Sequence, residues 1–205
     1  MSKVFKNIVL LGITIVLCFN TVTQLIEFGA NDIKEIMGLS ILDSQKIMLN
    51  NYLLLLIFVY INTENISRIE CVIREKIQLV CLYKVFFLGV GFSFVEITAI
   101  FASALYKGII VKEVGYYFWM LFRLSMINIL FVSIFILLLL NYKRIVALVI
   151  MGSCDLILLI SWLCIYTYYN MKDDLVMFNN IPFQLVTTAI LAVFIYLKSI
   201  NKEYY

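Results

Sequence analysis

Between positions 116 and 141 the chain carries a single charge, Arg123, and the stretch closes on FILLLL at 135–140. A bilayer core is about 30 Å thick and an α-helix rises about 1.5 Å per residue, so a spanning helix needs about 20 apolar residues. This stretch meets that length, and the composition says that it is not alone. Of 205 residues, 64% are hydrophobic and 14% charged, whereas a soluble domain averages about half and a quarter. At a mean hydropathy of +1.03 there is more apolar side chain than one soluble core of this size can bury. The expected fold class is all-α, a polytopic integral membrane protein forming one transmembrane domain over 1–205.

The same numbers disfavour a disordered chain, a collagen, a basic nucleic-acid-binding domain and a small disulfide scaffold. The chain has no histidine, which removes His-based metal sites, catalytic triads and Cys–His nucleophiles. Pro182 is the one proline, so long helices run uninterrupted. Cys18, Cys71, Cys81, Cys154 and Cys164 form no C-x-x-C and read as small buried hydrophobes with free thiols.

Six spans are expected, at about 8–26, 47–63, 79–106, 116–141, 145–170 and 181–199. The second is the poorest, because only 53–61 is continuously apolar and Asn50 and Asn51 stand just before it. Lys3 and Lys6 ahead of the first span imitate a signal peptide, but no A-x-A site follows, and it is read as a retained helix. Charge sets the orientation. With the N-terminus inside, the inner segments hold Lys3, Lys6, Arg68, Arg74, Lys76, Lys84, Lys143, Arg144, Lys198 and Lys202, ten in all. The outer segments hold five: Lys34, Lys46, Lys107, Lys112 and Lys172. The positive-inside rule then places both termini in the cytoplasm. Tyr116, Tyr117 and Trp119, with Tyr166, Tyr168 and Tyr169, fall at span boundaries as an aromatic belt does.

Two polar segments and three buried charges are the candidate functional features. The inner connection 63–78 repeats Ile66, Ile69, Ile73 and Ile77 at helical spacing, which predicts an amphipathic cytoplasmic helix with Thr63 as its N-cap. It either lies in the headgroup region or docks a soluble partner through Arg68, Glu70, Arg74 and Glu75. The outer loop 27–46 is too apolar for a solvated linker. A short helix capped by Asn31 or Asp32 is expected there, with Gly29 and Gly38 breaking the segment into pieces. Within the spans, Glu96, Arg123 and Asp155 each cost about 2.5–3.5 kcal/mol at a bilayer centre and need a partner or water. Glu96 and Arg123 fall on successive helices and are expected to pair. Asn20, Asn128, Gly89 and Gly91 are expected to join the same polar interior, the glycines through close helix packing. No H-E-x-x-H, G-x-S-x-G or P-loop pattern occurs, and no catalytic, cofactor or metal site is expected.

This layout of six spans, both ends inside, an outer segment after the first span and a charged amphipathic stretch between the second and third resembles the small ABC-transporter permease subunits of Gram-positive bacteria. Those found beside bacteriocin and lantibiotic immunity genes are of this kind, and the Ile/Leu/Asn/Lys-rich usage fits a low-GC bacterium. The resemblance implies a bacterial plasma-membrane protein that is not itself an enzyme. It implies a separate cytoplasmic ABC ATPase partner, and a homodimer or a second permease subunit, in contact with membrane lipid and not with nucleic acid. The inner stretch would be the coupling helix, with Arg68, Arg74 and Glu75 as its contacts, and the cargo a peptide or lipid-like antimicrobial. Two other classes share the size. The substrate-capturing membrane subunits of energy-coupling-factor vitamin transporters use small residues four apart on the first helix, where this chain offers Gly12. Non-transporting immunity or assembly proteins need no ATPase.

Overall fold

The structure, a computed structural model, describes residues 2–42, 52–63, 77–109, 114–169 and 181–201. Helices are the only regular elements among them: α1 Lys3–Glu27, α2 Ile33–Leu42, α3 Tyr52–Asn62, α4 Ile77–Tyr106, α5 Val114–Asn141, α6 Arg144–Tyr169 and α7 Ile181–Asn201. The all-α expectation holds. Lys3–Glu27, Val80–Tyr106 and Gly115–Asn141 are long and apolar enough to cross a membrane, which is compatible with a membrane location. Tyr52–Asn62, Arg144–Cys154 and Gln184–Ser199 are apolar but shorter.

The described part of the second element, Tyr52–Asn62, is helical and falls within the expected 47–63. Positions 47–51 lie outside the described residues.

At the centre, α4 and α5 pack along their length in opposite directions. Gly89 lies against Ile129, Ser93 against Asn128 and Thr98 against Tyr117. Half of the most apolar window of each is buried (50% and 56%), against 28% for α1, which marks α1 as peripheral. Around the central pair, α1 leans on α4, α7 packs on both, and α3 bridges α1 and α6. Consecutive long helices of opposite direction are the expected outcome of short connections.

The interior falls into two apolar clusters. One gathers Leu10 of α1, Leu55 and Val59 of α3, Phe92 of α4, and Phe135 and Ile136 of α5. It lies toward the N-terminal end of α1, the end expected to face the cytoplasm, and is called the inner half. The other gathers Val22 of α1, Ile36 and Met37 of α2, Ile97 of α4, and Met120 and Leu124 of α5. It lies toward the other end and is called the outer half. Each short helix serves one of them: α3 completes the inner half, α2 the outer.

The outer ends of α1 and α4 close in the same way. Ala30 N–H bonds Leu25 O and Gly29 N–H bonds Ile26 O, both at 3.0 Å, with Gly29 at φ 98°. Ile109 N–H bonds Ala104 O at 3.1 Å and Gly108 N–H bonds Leu105 O at 3.0 Å, with Gly108 at φ 83°. Both are Schellman closures, in which glycine supplies the left-handed residue and an apolar residue follows to pack back on the helix.

One expectation, the breaker at Gly38, needs correction here. Gly38 does not break the outer segment: it is inside α2. A helical glycine costs about 1 kcal/mol against alanine, and burial of Ile33, Ile36 and Met37 outweighs that. Of the two proposed caps, Asp32 accepts from Lys34 N–H at 3.4 Å, while Asn31 donates to Gly29 O at 2.9 Å. Thr63 closes the preceding helix: its hydroxyl donates back to Val59 O at 2.7 Å. The 63–78 helix that Thr63 is expected to cap lies, beyond its two ends, outside the described residues.

Candidate functional site

The boundary between the two apolar clusters is polar. Thr14 of α1, Ser93 and Glu96 of α4, and Ser125 and Asn128 of α5 are all buried there, Glu96 with 2% of its surface exposed. The cause is local. The buried stripe of α1 runs Leu10, Thr14, Cys18, Val22, Leu25, a spacing of about one turn that keeps one face inward, and its second position is a threonine. On α4, Gly89 admits α5 so closely that a Cβ there would lie 2.7 Å from Ile129 Cγ1 and 2.9 Å from its backbone nitrogen. One turn further along the same face, Asn128 Nδ2 donates to Ser93 Oγ at 2.8 Å, and that hydroxyl donates to Gly89 O at 2.8 Å.

Glu96 sits between Ser93 and Thr98 on α4. Its level on the antiparallel neighbour therefore falls between Asn128 and Tyr117, the interval that contains the half-buried Arg123. The helix register brings the two charges to one level of the central pair. Asp155 lies on α6, with its side chain outside the described set. Arg68, Glu70, Arg74 and Glu75 lie outside the described residues altogether.

Two members of the expected polar interior do not belong to it. Asn20 is exposed on α1, because it falls two residues past Cys18 and so off the inward stripe. A Cβ on Gly91 meets nothing within 4 Å, so close packing rests on Gly89 alone of the two. Thr14, Ser93 and Ser125 complete the layer, and sequence reasoning misses all three. A signal for Ser93 exists: Gly89 and Ser93 form a small-x-x-x-small pair, the pattern that lets membrane helices approach.

A second polar set seals the inner end, around the C-terminus of α3. Asn7 of α1 and Asn62 of α3 exchange side-chain amide hydrogen bonds, each at 3.0 Å. Lys84 Nζ of α4 donates to Asn62 O at 3.4 Å. Arg144 of α6 donates to Tyr60 O and holds its guanidinium 3.8 Å above the Tyr60 ring. The last carbonyls of a helix lack partners within it and carry the negative end of the dipole, so cations settle there. At the outer end Tyr116 Oη donates to Lys34 O at 3.3 Å and fixes α2 on α5.

Hydroxyls elsewhere along the helices turn inward on their own backbone. Thr23, Thr98, Ser103 and Ser133 each donate to the carbonyl four residues back. That is how a hydroxyl is satisfied where water is missing. Among the described residues no group of three His, Cys, Asp or Glu gathers to hold a metal, and Cys18, Cys81 and Cys154 are in no disulfide. Chemically the layer offers a carboxyl group, an amide and hydroxyls in a low-dielectric interior: groups that bind a polar moiety or a proton. No protein-family model, curated protein or solved structure matches the chain.

Proposed function

We propose that the chain is a multi-pass membrane transport subunit with about six spans and both termini in the cytoplasm. It acts as the permease of an ABC exporter whose ATP is hydrolysed by a separate subunit. The observation that carries this reading is the inverted distribution of polarity. The surface is apolar, with Val4, Ile8, Phe86, Phe118, Val149 and Val193 among its exposed side chains, while Glu96, Asn128, Ser93 and Gln184 are buried. An ionisable residue kept inside a membrane bundle marks a path or a binding site by default. The orientation draws support from the ends of the bundle. Lys3, Lys84 and Arg144 meet at the inner end, whereas Glu27, Asp32 and Glu35 stand at the other, and basic ends stay inside.

In this reading the polar layer holds the head of an amphiphilic cargo, a peptide or a lipid-like antimicrobial. ATPase closure acts on the 63–78 segment, next in sequence to α3 and α4, and shifts them against the layer. Gentle solubilisation is expected to recover a Walker-motif ATPase with the chain, and Arg74→Glu to release it. Glu96→Gln is expected to keep that complex and to lose most cargo-dependent ATP hydrolysis. Full export by Glu96→Gln, or a chain purified without an ATPase from cells that express the neighbouring genes, would contradict the proposal.

A further inference from the structure

Among the described residues, positive charge concentrates at the inner end. Lys84 reaches Asn62 O and Arg144 reaches Tyr60 O, so the α3 C-terminus takes two cations. A helix C-terminus presents about half a negative charge. Lys3, one turn before Asn7 on the face that meets Asn62, adds a third cation at the same end. Lys143 stands exposed beside Arg144. Among the described residues these four make no ion pair. Like charges repel unless an anion sits among them, and the repulsion is less screened at the edge of a low-dielectric bundle.

The surroundings identify the anion. Apolar side chains open to the outside adjoin the cations directly: Val4 and Phe5 beside Lys3, Tyr83 and Phe87 beside Lys84. Tyr83 and Phe87 stack at 5.6 Å into one flat apolar surface running away from the end. A small phosphate would use the cations and leave that surface idle; an amphiphile uses both. Basic clusters between helices on the cytoplasmic side bind anionic headgroups.

We propose that Lys3 and Lys84, with Lys143 at the rim, bind the phosphate of an anionic phospholipid whose acyl chains lie along Tyr83 and Phe87 of α4. The lipid neutralises the inner end and ties α1 to α4 there. The inference rests on the membrane reading and is independent of cargo and ATPase.

The test is native mass spectrometry of the full chain in mild detergent, with phosphatidylglycerol and phosphatidylcholine added at equal concentration. Phosphatidylglycerol should be retained preferentially. Each of Lys3→Gln and Lys84→Gln should weaken its retention about five-fold, the effect of one basic residue at a membrane surface. Lys3→Gln is the decisive variant, because Lys3 makes no side-chain hydrogen bond among the described residues, whereas Lys84→Gln also loses the Asn62 contact. Lys107→Gln at the outer end should change nothing. Equal retention of the two lipids overturns the proposal, as does an equal loss in Lys107→Gln. Displacement of the lipid by inorganic phosphate at matched concentration also overturns it, by showing that the acyl chains contribute nothing.

Discussion

The inner and outer halves solve one problem in two ways. Each sets a short helix against the long α1, α4 and α5: α3 inside, α2 outside. The outer half closes by backbone, with two Schellman turns at Gly29 and Gly108. The inner half closes by side chains, with the Asn7–Asn62 pair and two cations on α3 carbonyls. Glycine follows the same division. Gly29 and Gly108 are needed for conformation, while Gly89, near the inner half, is needed for space. The lesson is that the outer end depends on local sequence, whereas the inner end depends on residues far apart meeting. Charge substitutions should therefore harm the inner end more, and backbone substitutions the outer.

The largest expected effect is at Arg144. Arg144→Ala removes a charged hydrogen bond and a contact with the Tyr60 ring, and should destabilise by about 2–3 kcal/mol in a detergent unfolding titration. The outer counterpart, Lys107→Ala, loses only the Lys107 Nζ contact 5.3 Å over the Phe19 ring and should cost under about 1 kcal/mol. Equal losses would erase the contrast. Next, Gly89→Ala should cost about 1–3 kcal/mol by forcing α4 from α5. Gly91→Ala, with open space around it, should be neutral or gain up to about 1 kcal/mol. Thermal unfolding of the two variants side by side separates close packing from helix propensity.

Gly29→Ala and Gly108→Ala should each cost about 1–2 kcal/mol from left-handed strain, and Asn, which tolerates that conformation, should restore part of it. The smallest effect is expected for the Asn7–Asn62 pair. A double-mutant cycle with Asn7→Ala and Asn62→Ala should return a coupling near 0.6 kcal/mol, about the average for such bonds in a membrane protein. A coupling of zero would remove the pair from the inner seal.

The long elements are legible in the sequence because run length alone decides them. The expected 79–106 and 116–141 correspond to Ile77–Tyr106 and Val114–Asn141 within two residues. The Asp32 cap and an outer short helix are also readable. Position within a helix is harder to read. The chemistry of Asn20 groups it with the interior, yet the stripe from Leu10 to Leu25 turns it outward. The residue type of Gly38 suggests a breaker, yet three buried apolar neighbours hold α2 together. The contact of Arg144 with Tyr60 spans 84 positions, and no local pattern announces a pair that only helix packing creates. Glu96 is legible as a buried charge because a lone carboxylate within an apolar run must turn into the bundle to escape lipid. Its neighbours Thr14 and Ser93 are not, because serine and threonine occur on any face.

The central claim is that the bundle spans the membrane with its basic end in the cytoplasm. Single cysteines introduced into a cysteine-free background at Ser2, Lys143, Asp32 and Lys107 test it directly with an impermeant thiol reagent on intact cells. The account predicts labelling at Asp32→Cys and Lys107→Cys, with Ser2→Cys and Lys143→Cys labelled only after lysis. Labelling of Ser2→Cys and Lys143→Cys from outside, or of all four alike, would contradict it.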